Sequence, residues 1–232
     1  MGLYEIHCHT SEVSACGWVD AVNVVRIHKN AGFEGICITD HYHDQFFRMQ
    51  GGLKDSEVVD KYLLGYRMAL KEGVRLGLKV FLGMEIKFPE SSNDYLVYGI
   101  TAEMLYENPY MFRMGLKAFS SMARMEGLLL IQAHPFRDNM IRVNPLFLDG
   151  VETINGNLRI DSRNHISKRY ADEHDLIKMG GSDFHRECDI NLAAMEFLSE
   201  INSKNDLVDA LRNGEYTIVQ NPISTQRDRS SR

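Results

Sequence analysis

Apolar runs of four to nine residues recur along the chain and alternate with longer segments in which apolar positions return every three or four residues. Residues 3–8 predict the first strand. Residues 19–31 predict a helix with Val22, Val25 and Ile27 on a mixed apolar face and Gly32 closing it. Residues 35–39 predict a second strand, apolar until Thr39, and such an uninterrupted run implies burial on both faces, as in a parallel sheet covered by helices. A long helix is predicted over 56–76 from apolar residues at 59, 63, 66, 70 and 74. Strands over 79–86 and 95–100 flank a turn at 89–94. A helix over 109–125 carries methionines at 111, 114, 122 and 125, expected as core filler. Strands at 128–133 and 150–154, a polar helix over 164–178 before a turn at Gly180, a strand at 193–198, a helix at 204–212 and a strand at 216–219 complete the pattern. The segment 41–55 is longer than a connection needs and is expected to form a lid or substrate wall.

What changes this picture is where the polar residues fall. His7 and His9 end the first strand, His41 follows the second, Glu85 ends the third, His134 follows the run 128–133, and Asp183 and His185 follow Gly180–Gly181. Alternation along a strand puts His7 with His9, and Asp183 with His185, on shared faces. Any one such histidine is as readily a satisfied strand residue as a ligand. Imidazoles and carboxylates gathered at strand ends instead suit zinc, manganese or iron. Ligands at the C-terminal ends of strands that alternate with helices predict an irregular TIM-like α/β barrel with its site on that face. A doubly wound open sheet is the alternative, but it would concentrate the site at one switch point.

The chain has 232 residues and is 44% hydrophobic, which suits one domain over 1–220 followed by a polar, frayed tail at 221–232. Its net charge is −6, and its one basic cluster is the tail with Arg227, Arg229 and Arg232. Neither feature suits a grip on long nucleic acid. No apolar run reaches the roughly eighteen residues of a membrane span. Four cysteines without CxxC spacing (Cys8, Cys16, Cys37 and Cys188) suit a reducing compartment, and a cytoplasmic location is expected.

Seven donors (His7, His9, His41, Glu85, His134, Asp183 and His185) exceed the three that a single catalytic zinc takes, so two or three divalent cations are expected, with Glu85 bridging. Arg137 is placed to fork a phosphate against a surface-ion-pair alternative. Asp40 either orients His41 or caps its loop. His28, His165 and His174 are expected to be structural, and Glu152 and Asn155 to line the pocket.

The segments His7-Cys8-His9-Thr10, Thr39-Asp40-His41, the Glu85 strand with His134-Pro135-Phe136, and Gly181-Ser182-Asp183-Phe184-His185 together resemble the motifs of the polymerase and histidinol phosphatase (PHP) family. The resemblance implies an irregular (β/α)7 barrel, up to three cations (Zn, Mn or Fe) and phosphoester hydrolysis. Cys16 stands before Gly17 where the family often has Asp or His, so that ligand is either a Cys16 thiolate, which joins the candidates, or missing. No histidine occurs between His43 and His134. The expected function is hydrolysis of a small phosphoester, as in a histidinol-phosphatase-like or nucleotide phosphatase, by a metal-bound hydroxide. His185, Arg137 and Asp40 are the candidates for catalytic roles. The alternatives are a 5′–3′ exonuclease or phosphodiesterase on short nucleic acid, an amidohydrolase-type hydrolase, and a non-catalytic metal-binding module. The oligomeric state is open.

Overall fold

The computed structural model describes residues 2–190 and 192–221. Ten strands form one sheet: β1 (Gly2–Cys8), β2 (Gly35–Ile38), β3 (His41–Tyr42), β4 (Lys79–Lys87), β5 (Asp94–Tyr98), β6 (Leu129–Gln132), β7 (Gly150–Asn155), β8 (Ile177–Gly181), β9 (Ala193–Phe197) and β10 (Tyr216–Gln220). Their order is β10-β9-β1-β2-β4-β5-β6-β7-β8, with β3 beside β4. The sheet curls until its ends nearly meet. Backbone hydrogen bonds of 3.0 Å run from His9 N to Phe184 O and from Phe184 N to His7 O, tying the end of β1 to the segment after β8. Gly181 permits this approach, because a Cβ there would lie 2.5 Å from the His7 Cβ.

The barrel is irregular for identifiable reasons. β4 and β5 form an antiparallel hairpin and β5 also pairs antiparallel with β6, so β5 runs against its neighbours. β9 pairs antiparallel with the first residues of β1 and carries β10 on its other edge. Ile6, Leu96, Tyr98, Ile131 and Met179, drawn from four strands around the ring, belong to one buried cluster. The Tyr98 hydroxyl donates to the Ile6 carbonyl at 2.7 Å.

The helices are α1 (Ala21–Asn30), α2 (Asp44–Met49), α3 (Asp55–Tyr62), α4 (Leu64–Leu76), α5 (Ala102–Glu107), α6 (Leu116–Met125), α7 (Asn164–His174) and α8 (Lys204–Asn213). α1 is N-capped by Asp20, whose side chain accepts from Asn23 N. The single helix expected over 56–76 is two, interrupted at Leu63. That interruption rotates the buried face: α4 buries Gly65, Ala69 and Gly73, while Leu70 and Val74 of the expected apolar stripe are exposed. Gly65 has a packing reason, since a Cβ there would fall 2.1 Å from Thr10 Oγ1 and 3.0 Å from Asp40 Oδ2. The helix expected over 109–125 begins only at Leu116, after a short 3-10 turn at Met111–Arg113. Of its methionines, Met111 is buried, but Met114 and Met125 are exposed. The segment 41–55 holds α2, whose Phe46 and Phe47 are buried, so it is a packed wall. The tail expected over 221–232 lies, apart from Asn221, outside the described residues. No helix among the described residues is long and apolar enough to cross a membrane.

Candidate metal centre

The mouth of the barrel where the parallel strands end brings all eight ligand candidates into one cluster. His7, His9, Glu85, His134 and Asp183 are buried, His41 and His185 are partly exposed, and Cys16 is exposed. Glu85 lies at the middle. Its Oε1 faces His7 Nε2 at 3.5 Å and His134 Nε2 at 3.2 Å, and its Oε2 faces His9 Nε2 at 3.3 Å and His41 Nδ1 at 2.9 Å. Asp183 Oδ1 is 3.4 Å from both His7 Nε2 and His9 Nε2, and 3.3 Å from His185 Nδ1. His185 Nε2 is 3.1 Å from Cys16 Sγ.

The donor atoms fall into overlapping groups: His7, His9 and Glu85; His7, His134 and Asp183; His9, His41 and His185; and His41, Glu85 and Asp94. In each, the atoms lie within 4.8 Å of one another. His7 Nε2 and His9 Nε2, which face Glu85 and Asp183, are buried without a hydrogen-bond partner. Orphaned buried polar atoms are costly, and lone pairs converging on shared space are what a cation satisfies. The donor set therefore fits divalent metals.

Residues behind the cluster set the tautomers. Glu152, fully buried on β7, accepts from His7 Nδ1 at 2.8 Å through Oε1 and from the His134 backbone N–H at 2.9 Å through Oε2. Ser14 donates to Asp40 Oδ1 at 2.6 Å, which leaves its oxygen to accept from His9 Nδ1 at 3.2 Å. Both histidines thus turn Nε2 toward the cluster with its lone pair free. Asp40 also accepts from the Thr10 backbone and hydroxyl, both at 2.7 Å. With its carboxyl buried and engaged by three donors, Asp40 holds the Thr10–Ser14 loop and offers no oxygen to a substrate. These bonds match the loop-holding alternative, and through Ser14 they bear on His9 rather than on His41. Burial raises its carboxyl to about 6, against the hydrogen bonds from Ser14 and Thr10.

Arg137 also differs from its expected setting. Its guanidinium donates to Asp183 Oδ2 at 2.7 Å, to Asn155 Oδ1 at 2.8 Å and to Ser162 Oγ at 2.9 Å, so most of the fork expected for phosphate is already held by protein. Asp183 and His134 have φ of +54° and +30°, sparsely populated values that cost about 1–3 kcal/mol each.

Electrostatics follow from this layering. Burial opposes ionisation of Glu85, but His41 and His7 and hydrogen bonds from His134 and His41 outweigh it and hold the carboxyl well below its usual range. Burial likewise opposes ionisation of Asp183, whose carboxyl is held well down by His7, His9, His185 and Arg137. Burial disfavours charge on His7, yet the carboxylates of Glu152, Asp183 and Glu85 push it well up. His9 is driven well down by burial and by its neighbours His185 and His41. For Cys16, burial is outweighed by hydrogen bonding to His185 and His41, which brings the thiol down to about 6.

One residue here escaped sequence reasoning and another has a different role from the one expected. Asp94 is buried, and its register partner Lys87 places it at the same mouth as Glu85 because β5 runs antiparallel. The signal available was its position opening a strand directly after a turn. Glu152 was read as pocket lining and instead stands behind His7. His28 is buried in α1, donating from Nδ1 to Val24 O at 2.8 Å, in keeping with its structural reading.

The fold and the donor cluster define an α/β barrel with a metal-type site at one mouth. Residues 161–216, which contain Asp183 and His185, match the PHP-associated family. No curated protein matches the chain. Among solved structures, a two-domain protein from Bacteroides vulgatus, described as containing a predicted PHP-like metal-dependent phosphoesterase, superposes with a TM-score of 0.69 at 16% identity over 95% of this chain. The chain spans 65% of that protein's length. PsfC from Pseudomonas syringae superposes at 0.66 with 13% identity, over 98% of this chain and 97% of that one. An amidohydrolase from Chromobacterium violaceum superposes at 0.55 with 14% identity, over 94% and 97%. At these identities the structures establish a shared fold. The family match itself is confined to the C-terminal part of the chain.

Proposed function

We propose that the chain is a metal-dependent phosphoesterase that hydrolyses a small phosphorylated compound. The observation that carries the reading is the convergence of His7 Nε2 and His9 Nε2, buried and unpartnered, on the Glu85 and Asp183 carboxylates. His7, His9, His41, Glu85, His134, Asp183 and His185 would hold two or three cations of zinc, manganese or iron, with Glu85 shared between them and Cys16 adding a thiolate beside His185. When bound, such cations lower the pKa of water to give a nucleophile at neutral pH and neutralise charge on phosphoryl oxygens.

The protein's own groups do the rest. Glu152 and Ser14 fix the tautomers of His7 and His9. Arg137 holds Asp183 Oδ2, so that Oδ1 is the oxygen turned to His7, His9 and His185. In this reading Arg137 positions Asp183 rather than forking the substrate. His185, partly exposed at the mouth, stands in the donor group with His9 and His41 and so serves here as a ligand, not as the proton donor to the leaving oxygen. A cavity of about 420 Å³ lined by Cys16, His41, His43 and Phe46 admits a compound of modest size. Four free cysteines accord with a cytoplasmic location.

The test is phosphate release from small phosphomonoesters by protein stripped with a chelator and then reloaded with manganese, zinc or iron. Release is expected only after reloading and not from Glu85→Gln. The fold shared with an amidohydrolase makes amide cleavage the second reading. Cleavage of N-acyl amides without phosphate release would overturn the proposal in its favour.

A further inference from the structure

A second cavity, about 460 Å³, adjoins the centre and has no part in the chemistry above. Arg48 of α2, Lys87 at the end of β4 and Arg113 before α6 line it, with Phe88 and Phe112 at its floor. One carboxylate, Asp44, lines it as well, and it is shared by Arg48 and Arg113. Three cations thus face Asp44 on the lining and Asp94 behind Lys87, a net positive recess in a chain whose net charge is −6. Arg113 is held in place by its stacking over the Tyr110 ring at 4.3 Å.

The cavity is coupled to the centre through two residues. His43 lines both this cavity and the one that contains His41 and Cys16. Lys87 Nζ lies 3.0 Å from Asp94 Oδ1, and an Asp94 oxygen lies within 4.8 Å of donor atoms on His41 and Glu85. A molecule with a phosphoryl group at the centre therefore has an electropositive recess directly beside it. Guanidinium forks suit planar or tetrahedral oxyanions, and a concave wall strengthens their field.

We propose that this recess binds a second anionic group of the substrate, a carboxylate or a further phosphate, so that the preferred substrates are small phosphoesters charged at both ends. The reaction in this inference rests on the phosphoesterase reading; the binding does not. Phenyl phosphate, 4-carboxyphenyl phosphate and 1,4-phenylene bisphosphate share one ring and differ in the distal group. Their affinities by calorimetry and their kcat/KM would be measured with the metal-loaded protein, with Arg113→Glu and with the double variant Arg48→Ala/Lys87→Ala. All three side chains are substantially exposed, so the variants should fold, which circular dichroism checks. At least about tenfold preference for a doubly charged compound is expected, falling to about twofold or less in both variants. The larger of the two ratios tells carboxylate from phosphate. Equal affinity for all three compounds would overturn the subsite, and so would a preference that both variants retain. Ordered affinities without turnover of any compound would overturn the phosphoesterase reading and leave the subsite standing.

Discussion

The His7 ring is held at 2.8 Å from Glu152 through Nδ1, and its other nitrogen, buried and without a hydrogen-bond partner, faces Glu85 and Asp183. Glu152→Gln keeps the shape and removes the charge that fixes this tautomer. Metal affinity is expected to fall by about 10–100-fold, as for other acceptors behind metal-binding histidines. A competition titration with a chromophoric chelator reads the change, and unchanged affinity would remove Glu152 from this role.

Arg137→Ala frees Asp183 Oδ2 and leaves Asn155 and Ser162 without their guanidinium donor. Both metal affinity and kcat are expected to fall, because the residue sets the position of Asp183. If instead KM alone rises while metal binding is intact, Arg137 touches substrate and its positioning role fails.

Acid stability has a contributor away from the centre. His28 is fully buried, and burial lowers its pKa from 6.5 to about 4, opposed by its hydrogen bond to Val24 O. Between those values the unfolded chain binds the proton and the folded chain does not. Stability is therefore whole above pH 6.5 and is lost as pH falls toward 4, by about 3 kcal/mol. Urea unfolding of the wild type and of His28→Leu at pH 7 and pH 4 should show the larger acid loss in the wild type. Equal losses would place the acid sensitivity elsewhere.

The sequence was most informative where period and chemistry coincide. His7 with His9, Glu85 and His134 are polar residues closing apolar runs, Asp183 with His185 follow a glycine pair, and the structure gathers them all at one mouth. Asp94 was obscured because β5 runs antiparallel, so its first residue, and not its last, meets the site. Local pattern does not encode strand direction. β8 was missed because Ile177–Gly181 contains Lys178 and two glycines, residues poor in strand signal, and Gly181 is there for its close approach to His7. The apolar period at Leu63, Tyr66, Leu70 and Val74 gave no sign of the break at Leu63, which turns Leu70 and Val74 outward. Arg137 looked free for phosphate because nothing in sequence places Asn155, Ser162 and Asp183 around it.

The most direct measurement is the number of divalent cations per chain, by elemental analysis of protein reconstituted with manganese, zinc or iron and freed of excess. At least two are expected in the wild type, and a lower count in Glu85→Gln, because Glu85 alone faces His7, His9, His41 and His134. One cation or fewer in the reconstituted wild type would contradict the shared centre on which the proposed chemistry depends.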